Sequence, residues 1–111
     1  MTHDEILKMP AGREMDELVI QQFMKWKVIW RGDTGYAYND GKYGARINWH
    51  PSTDIAAAWE VMEKGFEMGY PFRLFGYTGD WSCTMRFTAY AEIAPLAICR
   101  AALFAVMELQ E

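Results

Sequence analysis

Catalytic equipment is scarce in these 111 residues. There are two histidines, His3 and His50, and two cysteines, Cys83 and Cys99. The cysteines lack CxxC spacing, and a zinc site needs more ligands than this set offers. No glycine-rich phosphate loop, metal motif or serine elbow is present. The acids are scattered along helix faces without a paired arrangement. A Cys–His nucleophile exists on paper, but each cysteine falls in an apolar pattern that reads as buried and inert. These absences point away from an enzyme, and no cofactor is implied.

Positive charge is also short. Eleven Lys and Arg stand against fifteen Asp and Glu, a net charge of −4. That argues against binding a nucleic acid polymer, which needs clustered basic surface, but it leaves room for a local anion site. No apolar run approaches a membrane span. The N-terminal Thr2-His3-Asp4-Glu5 is polar and acidic, unlike a signal peptide. The expectation is a cytoplasmic protein with reduced thiols. Without repeats, low-complexity stretches or linkers, residues 1–111 read as one domain.

What the chain has is ring surface. Aromatic residues make up 15%, with five Trp, six Tyr and six Phe. A core this small cannot bury them all. Some are expected to line a pocket or a contact between copies, so a homo-oligomer is expected.

The clearest local signal is a helix opening after Pro51. Ser52, Thr53 or Asp54 can cap it, and Ile55, Ala58, Trp59, Met62 and Phe66 recur as one apolar face. Gly69 before Tyr70-Pro71 ends it. Upstream, Thr2 and Glu5 fit a capping box that opens a short helix ending before Pro10. Residues 11–24 give a second helical piece with Met15, Leu18, Val19, Gln22 and Phe23 as its stripe. A short strand follows at 26–30. Turns at 31–35 and Asn39-Asp40-Gly41-Lys42 separate short strands up to Trp49. Residues 72–77 and 81–88 form an antiparallel hairpin around Thr78-Gly79-Asp80. Its second strand alternates Trp81, Cys83, Met85 and Phe87 against Ser82, Thr84, Arg86 and Thr88. The last helix starts at Ala94-Pro95, where proline suits the first turn. It is apolar nearly all round, so it should be covered on more than one side, by the sheet and by a second subunit if there is one.

Two blocks carry a resemblance to a known family. Ser52-Thr53-Asp54-Ile55-Ala56-Ala57-Ala58-Trp59-Glu60-Val61 and Ala94-Pro95-Leu96-Ala97-Ile98-Cys99-Arg100-Ala101-Ala102-Leu103 resemble the phage ABA-sandwich domain of small phage and prophage proteins. The Met24-Lys25-Trp26-Lys27 turn is similar too. The resemblance implies an α+β fold, an antiparallel sheet packed between helices, in a protein working in the host cytoplasm. More loosely, the plan is similar to phage anti-defence sponges. Those sequester cyclic nucleotide signals of Thoeris or CBASS immunity, such as glycocyclic ADP-ribose or cyclic oligonucleotides. Arg100 is a plausible shared position, whereas Tyr36 to Trp49 departs from the pattern.

Each candidate side chain admits two readings. Arg100 suits bidentate grip of a phosphate, aided by the helix start at Pro95-Leu96-Ala97, or it pairs with Glu92 or a partner subunit. Ser52 and Thr53 could meet a ligand oxygen, or simply belong to a cap. Arg73 and Arg86 could contact phosphates, or stand in solvent across the strands. Phe75, Tyr77 and Trp81 could stack on a base, or pack in a core or dimer contact. The functional expectation is a protein that sequesters a cyclic nucleotide. The alternative is an assembly module with no small ligand. They differ in whether arginines and aromatics converge on a cleft.

Overall fold

The structure, a computed structural model, describes residues 1–31, 34–38, 45–47 and 49–107. For the strand residues 27–31, 34–38 and 45–47 only backbone pairing is described. The chain runs α1 (His3–Lys8), α2 (Arg13–Leu18), a π-helical segment (Val19–Met24), β1 (Lys27–Arg31), β2 (Thr34–Tyr38), β3 (Ala45–Ile47), α3 (Ile55–Glu67), β4 (Arg73–Tyr77), β5 (Asp80–Thr84), β6 (Thr88–Ala91) and α4 (Ala94–Val106). Both sheets are antiparallel, in the orders β1-β2-β3 and β4-β5-β6. The fold is α+β, as expected.

Local chemistry sets the helix ends. Thr2 caps α1 by accepting the Glu5 amide at 3.1 Å, the first half of a capping box, and its hydroxyl donates to the Glu5 carboxylate at 3.4 Å. Asp54, the last of the three cap candidates, caps α3 by accepting from the Ala56 amide. At the other end Gly69 takes φ +93°. The Gly69 and Tyr70 amides donate back to the Phe66 and Gly65 carbonyls, a Schellman closure.

α4 is the centre of the core. Leu96 to Cys99 and Ala101 to Ala105 are all buried. The β4–β6 sheet packs on one side, and α1, α2, the π-helical segment and α3 pack on others. The all-round apolar character is thus satisfied inside one chain, without the second subunit allowed for above. Burying a side chain such as Leu103 or Phe23 stabilises the fold by about 1.5–3 kcal/mol.

Three stripes differ from expectation. In α3 the buried residues are Ala57, Ala58, Val61, Met62 and Gly65. Ile55, Trp59 and Phe66 are instead 50%, 49% and 65% exposed. The small residues decide this. Gly65 presses against Phe23 and Met85, where a Cβ would sit 3.1 Å from Met85 Sδ, so the helix turns its slimmer side to the core. In the second helical piece Ile20 and Met24 are buried, while Leu18 and Gln22 are half-buried. The wider π turn shifts the phase of the stripe after Leu18. In the hairpin, β5 ends at Thr84. Arg86 and Phe87 lie in the bend that leads to β6, and Phe87 is 48% exposed. β6, a third strand, was not anticipated.

Short strands do occur within 26–49, as expected, and Arg31 pairs with Thr34 where a turn was read. Residues 32–33 and the 39–42 turn lie outside the described residues.

Candidate functional site

Alternation along β4–β6 divides its side chains between two faces. The strand registers pair Leu74 with Cys83 and Cys83 with Ala89, then Gly76 with Trp81 and Trp81 with Ala91. These residues face α4, and Cys83 and Ala89 are fully buried. Gly76 makes room for Trp81, because a Cβ there would lie 2.5 Å from the Asp80 carbonyl oxygen and 2.8 Å from Trp81 Cα.

On the opposite face the aromatic side chains stand exposed, and α1 comes near it at the Thr88 end. This face holds three cross-strand rows: Arg73, Thr84 and Thr88; Phe75, Ser82 and Tyr90; Tyr77 and Asp80. Phe75, Tyr77 and Tyr90 are 69%, 67% and 60% exposed. The Thr84 and Thr88 hydroxyls bond each other at 2.8 Å, and the Ser82 hydroxyl donates to the Phe75 carbonyl at 3.3 Å. Arg86 follows Thr84 by two residues, so both nominated hairpin arginines stand at one end of the face. The Arg86 guanidinium lies 5.4 Å from the Phe87 ring centre. Asp80 and Glu92 belong to the other end. The open face is therefore cationic at one end, aromatic in the middle and acidic at the other end.

The nominated residues do not all gather there. Arg73, Phe75 and Tyr77 share the open face, and Arg86 adjoins it. Trp81 points to the opposite side, because Gly76, not Phe75 or Tyr77, is its register partner. Arg100 lies on α4. Its Nη1 donates to the Tyr90 carbonyl at 2.7 Å and its Nη2 to the Met9 carbonyl at 3.1 Å. Its Nε is buried without a partner. Burial pushes the guanidinium's pKa down, and Glu92 partly offsets this through its charge. Arg100 thus spends its fork on two carbonyls, tying β6 and the end of α1 to α4, and not on an ion pair with Glu92.

Ser52 and Thr53 belong to the loop before α3. Ser52 is fully buried: its hydroxyl accepts from the Gly12 amide at 2.9 Å and donates to the Gly12 carbonyl at 3.3 Å. Its amide donates to Asp16 Oδ1 at 2.8 Å, while His50 Nδ1 lies 3.3 Å from Asp16 Oδ2. Asp16 is only 3% exposed. This Gly12–Asp16–His50–Ser52 latch joins α2 to the start of α3 and uses the groups a ligand would need. Thr53 is exposed beside it.

A hollow of about 650 Å³ lies between α1, the β5–β6 bend and the end of α4. Leu7, Phe87 and Phe104 give its apolar wall, and Thr2, His3, Asp4 and Thr88 its polar edge. The His3 ring meets Phe104 edge-on, with centres 4.7 Å apart. None of the nominated residues lines it. Cys83 and Cys99 are both buried thiols. Burial pushes Cys83 up to about 12 and Cys99 well above its usual range. No group of three or more His, Cys, Asp or Glu among the described residues could hold a metal ion.

Sequence reasoning missed Tyr90, Ser82 as its neighbour in the row, and the Asp16–His50 pair. Thr88-Ala89-Tyr90-Ala91 does alternate, but its alanines make a faint apolar signal. The Asp16–His50 contact spans 34 residues and has no local signature.

Among comparisons with known proteins, the phage ABA sandwich domain matches residues 17–103. No curated protein and no solved structure matches the chain. No described helix is long and apolar enough to cross a membrane. With its sequence match running from α2 into α4, through both sheets, the chain belongs to the phage ABA sandwich domain family.

Proposed function

We propose that this phage protein acts by binding and not by catalysis, and that it sequesters a nucleotide signal of host immunity. The ligand class is a cyclic nucleotide, such as glycocyclic ADP-ribose or a cyclic oligonucleotide. The observation that carries the reading is the open face of β4–β6, where Arg73 stands beside exposed Phe75, Tyr77 and Tyr90. Rings stack on bases regardless of sequence, and guanidinium groups hold phosphate. The site is an open face and not an enclosed cleft, and Arg100 supports it from behind through the Tyr90 carbonyl. Calorimetry of the protein against a panel of cyclic nucleotides tests the reading. Micromolar binding of at least one supports it, and no binding at that concentration removes it.

A second reading, a contact module for other copies or phage proteins, draws on α3. Ile55, Trp59 and Phe66 fall on one exposed stripe at helical spacing, and Trp59 meets Phe72 edge-on with centres 5.8 Å apart. Light scattering of the protein alone, and of Trp59→Glu, separates this from the first reading. A dimer that dissociates in Trp59→Glu places the stripe in an interface between copies, whatever the nucleotide panel returns.

A further inference from the structure

The register of β4–β6 carries more than a general affinity for nucleotides. Phe75 and Tyr90 occupy the two edge strands of one cross-strand row, with the small Ser82 between them. All three side chains belong to the open face. Adjacent strands lie about 4.8 Å apart, so the two edge strands are separated by about 9.6 Å. Two rings closing on a flat third ring at carbon contact distance need about 7–8 Å between them. The row is therefore wide enough for one planar heterocycle to stand between two leaning rings, with a serine floor that neither fills the gap nor leaves it greasy.

The neighbouring rows give this slot a direction. Residues two apart on a strand are about 6.8 Å apart. One such step from the slot brings Arg73 with the Thr84–Thr88 hydroxyl pair. In that pair one hydroxyl donates to the other, so one hydroxyl proton is left for an outside acceptor. No described residue pairs with the Arg73 guanidinium. One step the other way brings Tyr77 and Asp80, where an anion is repelled. A phosphate is attracted to one end only.

The geometry points to a one-base slot: Phe75 and Tyr90 clasp a single nucleobase over Ser82, and Arg73 with the threonine pair receives the phosphate of that same nucleotide. This rests on the proposed nucleotide reading and adds which base-bearing unit the face grips and in which direction. It requires a base, so a sugar phosphate alone does not suffice. Arg100 is the positioning residue of the slot, since it tethers the strand that presents Tyr90.

The test uses calorimetry with cyclic di-AMP and ADP-ribose as base-bearing probes and ribose 5-phosphate as the base-free control. Wild type is expected to bind at least one base-bearing probe and to bind ribose 5-phosphate at least tenfold more weakly. Ser82→Tyr, which fills the slot, and Tyr90→Ala, which removes one wall, should each weaken binding at least tenfold. Phe75→Ala, which removes the other wall, should weaken binding by a similar factor. Arg73→Gln should weaken binding and flatten its dependence on salt. If wild type binds no probe, the slot falls, and the nucleotide reading falls with it only when the wider panel of cyclic nucleotides is silent too. If wild type binds but Ser82→Tyr and Tyr90→Ala bind equally well, or ribose 5-phosphate competes fully, the slot falls and the nucleotide reading survives. These side chains are exposed or half-buried, and unchanged thermal melts of the variants separate lost contacts from lost folding.

Discussion

The two faces of β4–β6 are built from the same strands and have opposite chemistry. The face toward α4 is Leu74, Cys83, Ala89, Trp81 and Ala91 around a glycine, packed on a helix of small residues. The outward face is arginine, hydroxyls and rings in ordered rows. A sheet that needed only to cover α4 would gain nothing from three exposed aromatic side chains. The two-residue period separates side chains that pack on α4 from side chains that stand in solvent. A substitution on the inner side should therefore change stability, and one on the outer side should change binding with little effect on stability.

The strongest challenge to this division comes from the inner layer. Leu103→Ala removes a fully buried side chain from the helix behind the sheet and should cost about 2–5 kcal/mol in urea unfolding. A loss below 1 kcal/mol would mean that α4 is not packed as described. Arg100→Ala comes next. It leaves the Tyr90 and Met9 carbonyls without their donors and should cost about 1–3 kcal/mol. A variant of unchanged stability would return Arg100 to the role of ligand clamp.

Alkaline pH probes the inner face more gently. Both thiols ionise in the native state only far above their usual range, so the unfolded chain sheds these protons first. The stability they contribute is complete below about pH 9 and declines as pH rises toward 12. Comparing urea midpoints at pH 8 and pH 10.5, wild type should lose more than Cys83→Ala/Cys99→Ala. The native thiols should also resist a disulfide reagent at pH 8 until denaturant is added. The smallest effect belongs to the outer face. Phe75→Ala and Tyr90→Ala should each shift stability by no more than about 0.5 kcal/mol, because little apolar area is lost from the core.

Much of the fold was legible because its signals are local. The Thr2 cap, a cap among Ser52, Thr53 and Asp54, the Gly69 stop and the hairpin about Thr78-Gly79 are each written within a few residues, and the structure has them, with Asp80 taken from the turn into β5. Signals that depend on distant partners were harder to read. Hydrophobicity alone chose Trp59 and Phe66 for the core, whereas close approach at Gly65 turned the slimmer side of α3 inward. The phase of 13–24 was misjudged because a π turn leaves no mark in an apolar pattern. For the candidate site, residue types came through and placement did not. Arg73 and the Phe75–Tyr77 pair enter the sequence reading as separate candidates, and the strand register puts the three on one face. Trp81 lies on the Cys83 face, as the alternation of its own strand predicts, and so apart from Phe75 and Tyr77, with which it was grouped as a stacking candidate; Arg100 went to backbone carbonyls that no sequence spacing identifies. Ser52 reads locally as a cap candidate, yet its partner is Gly12, 40 residues away.

The most direct test of a divided sheet is amide NMR during titration with a cyclic nucleotide. The account predicts that shifts concentrate on Arg73, Phe75, Ser82, Thr84, Thr88 and Tyr90, with Leu74, Cys83, Ala89 and the buried turns of α4 changing little. Shifts centred instead on the α1–α4 hollow around His3 and Phe104, with the outer rows unmoved, would contradict it.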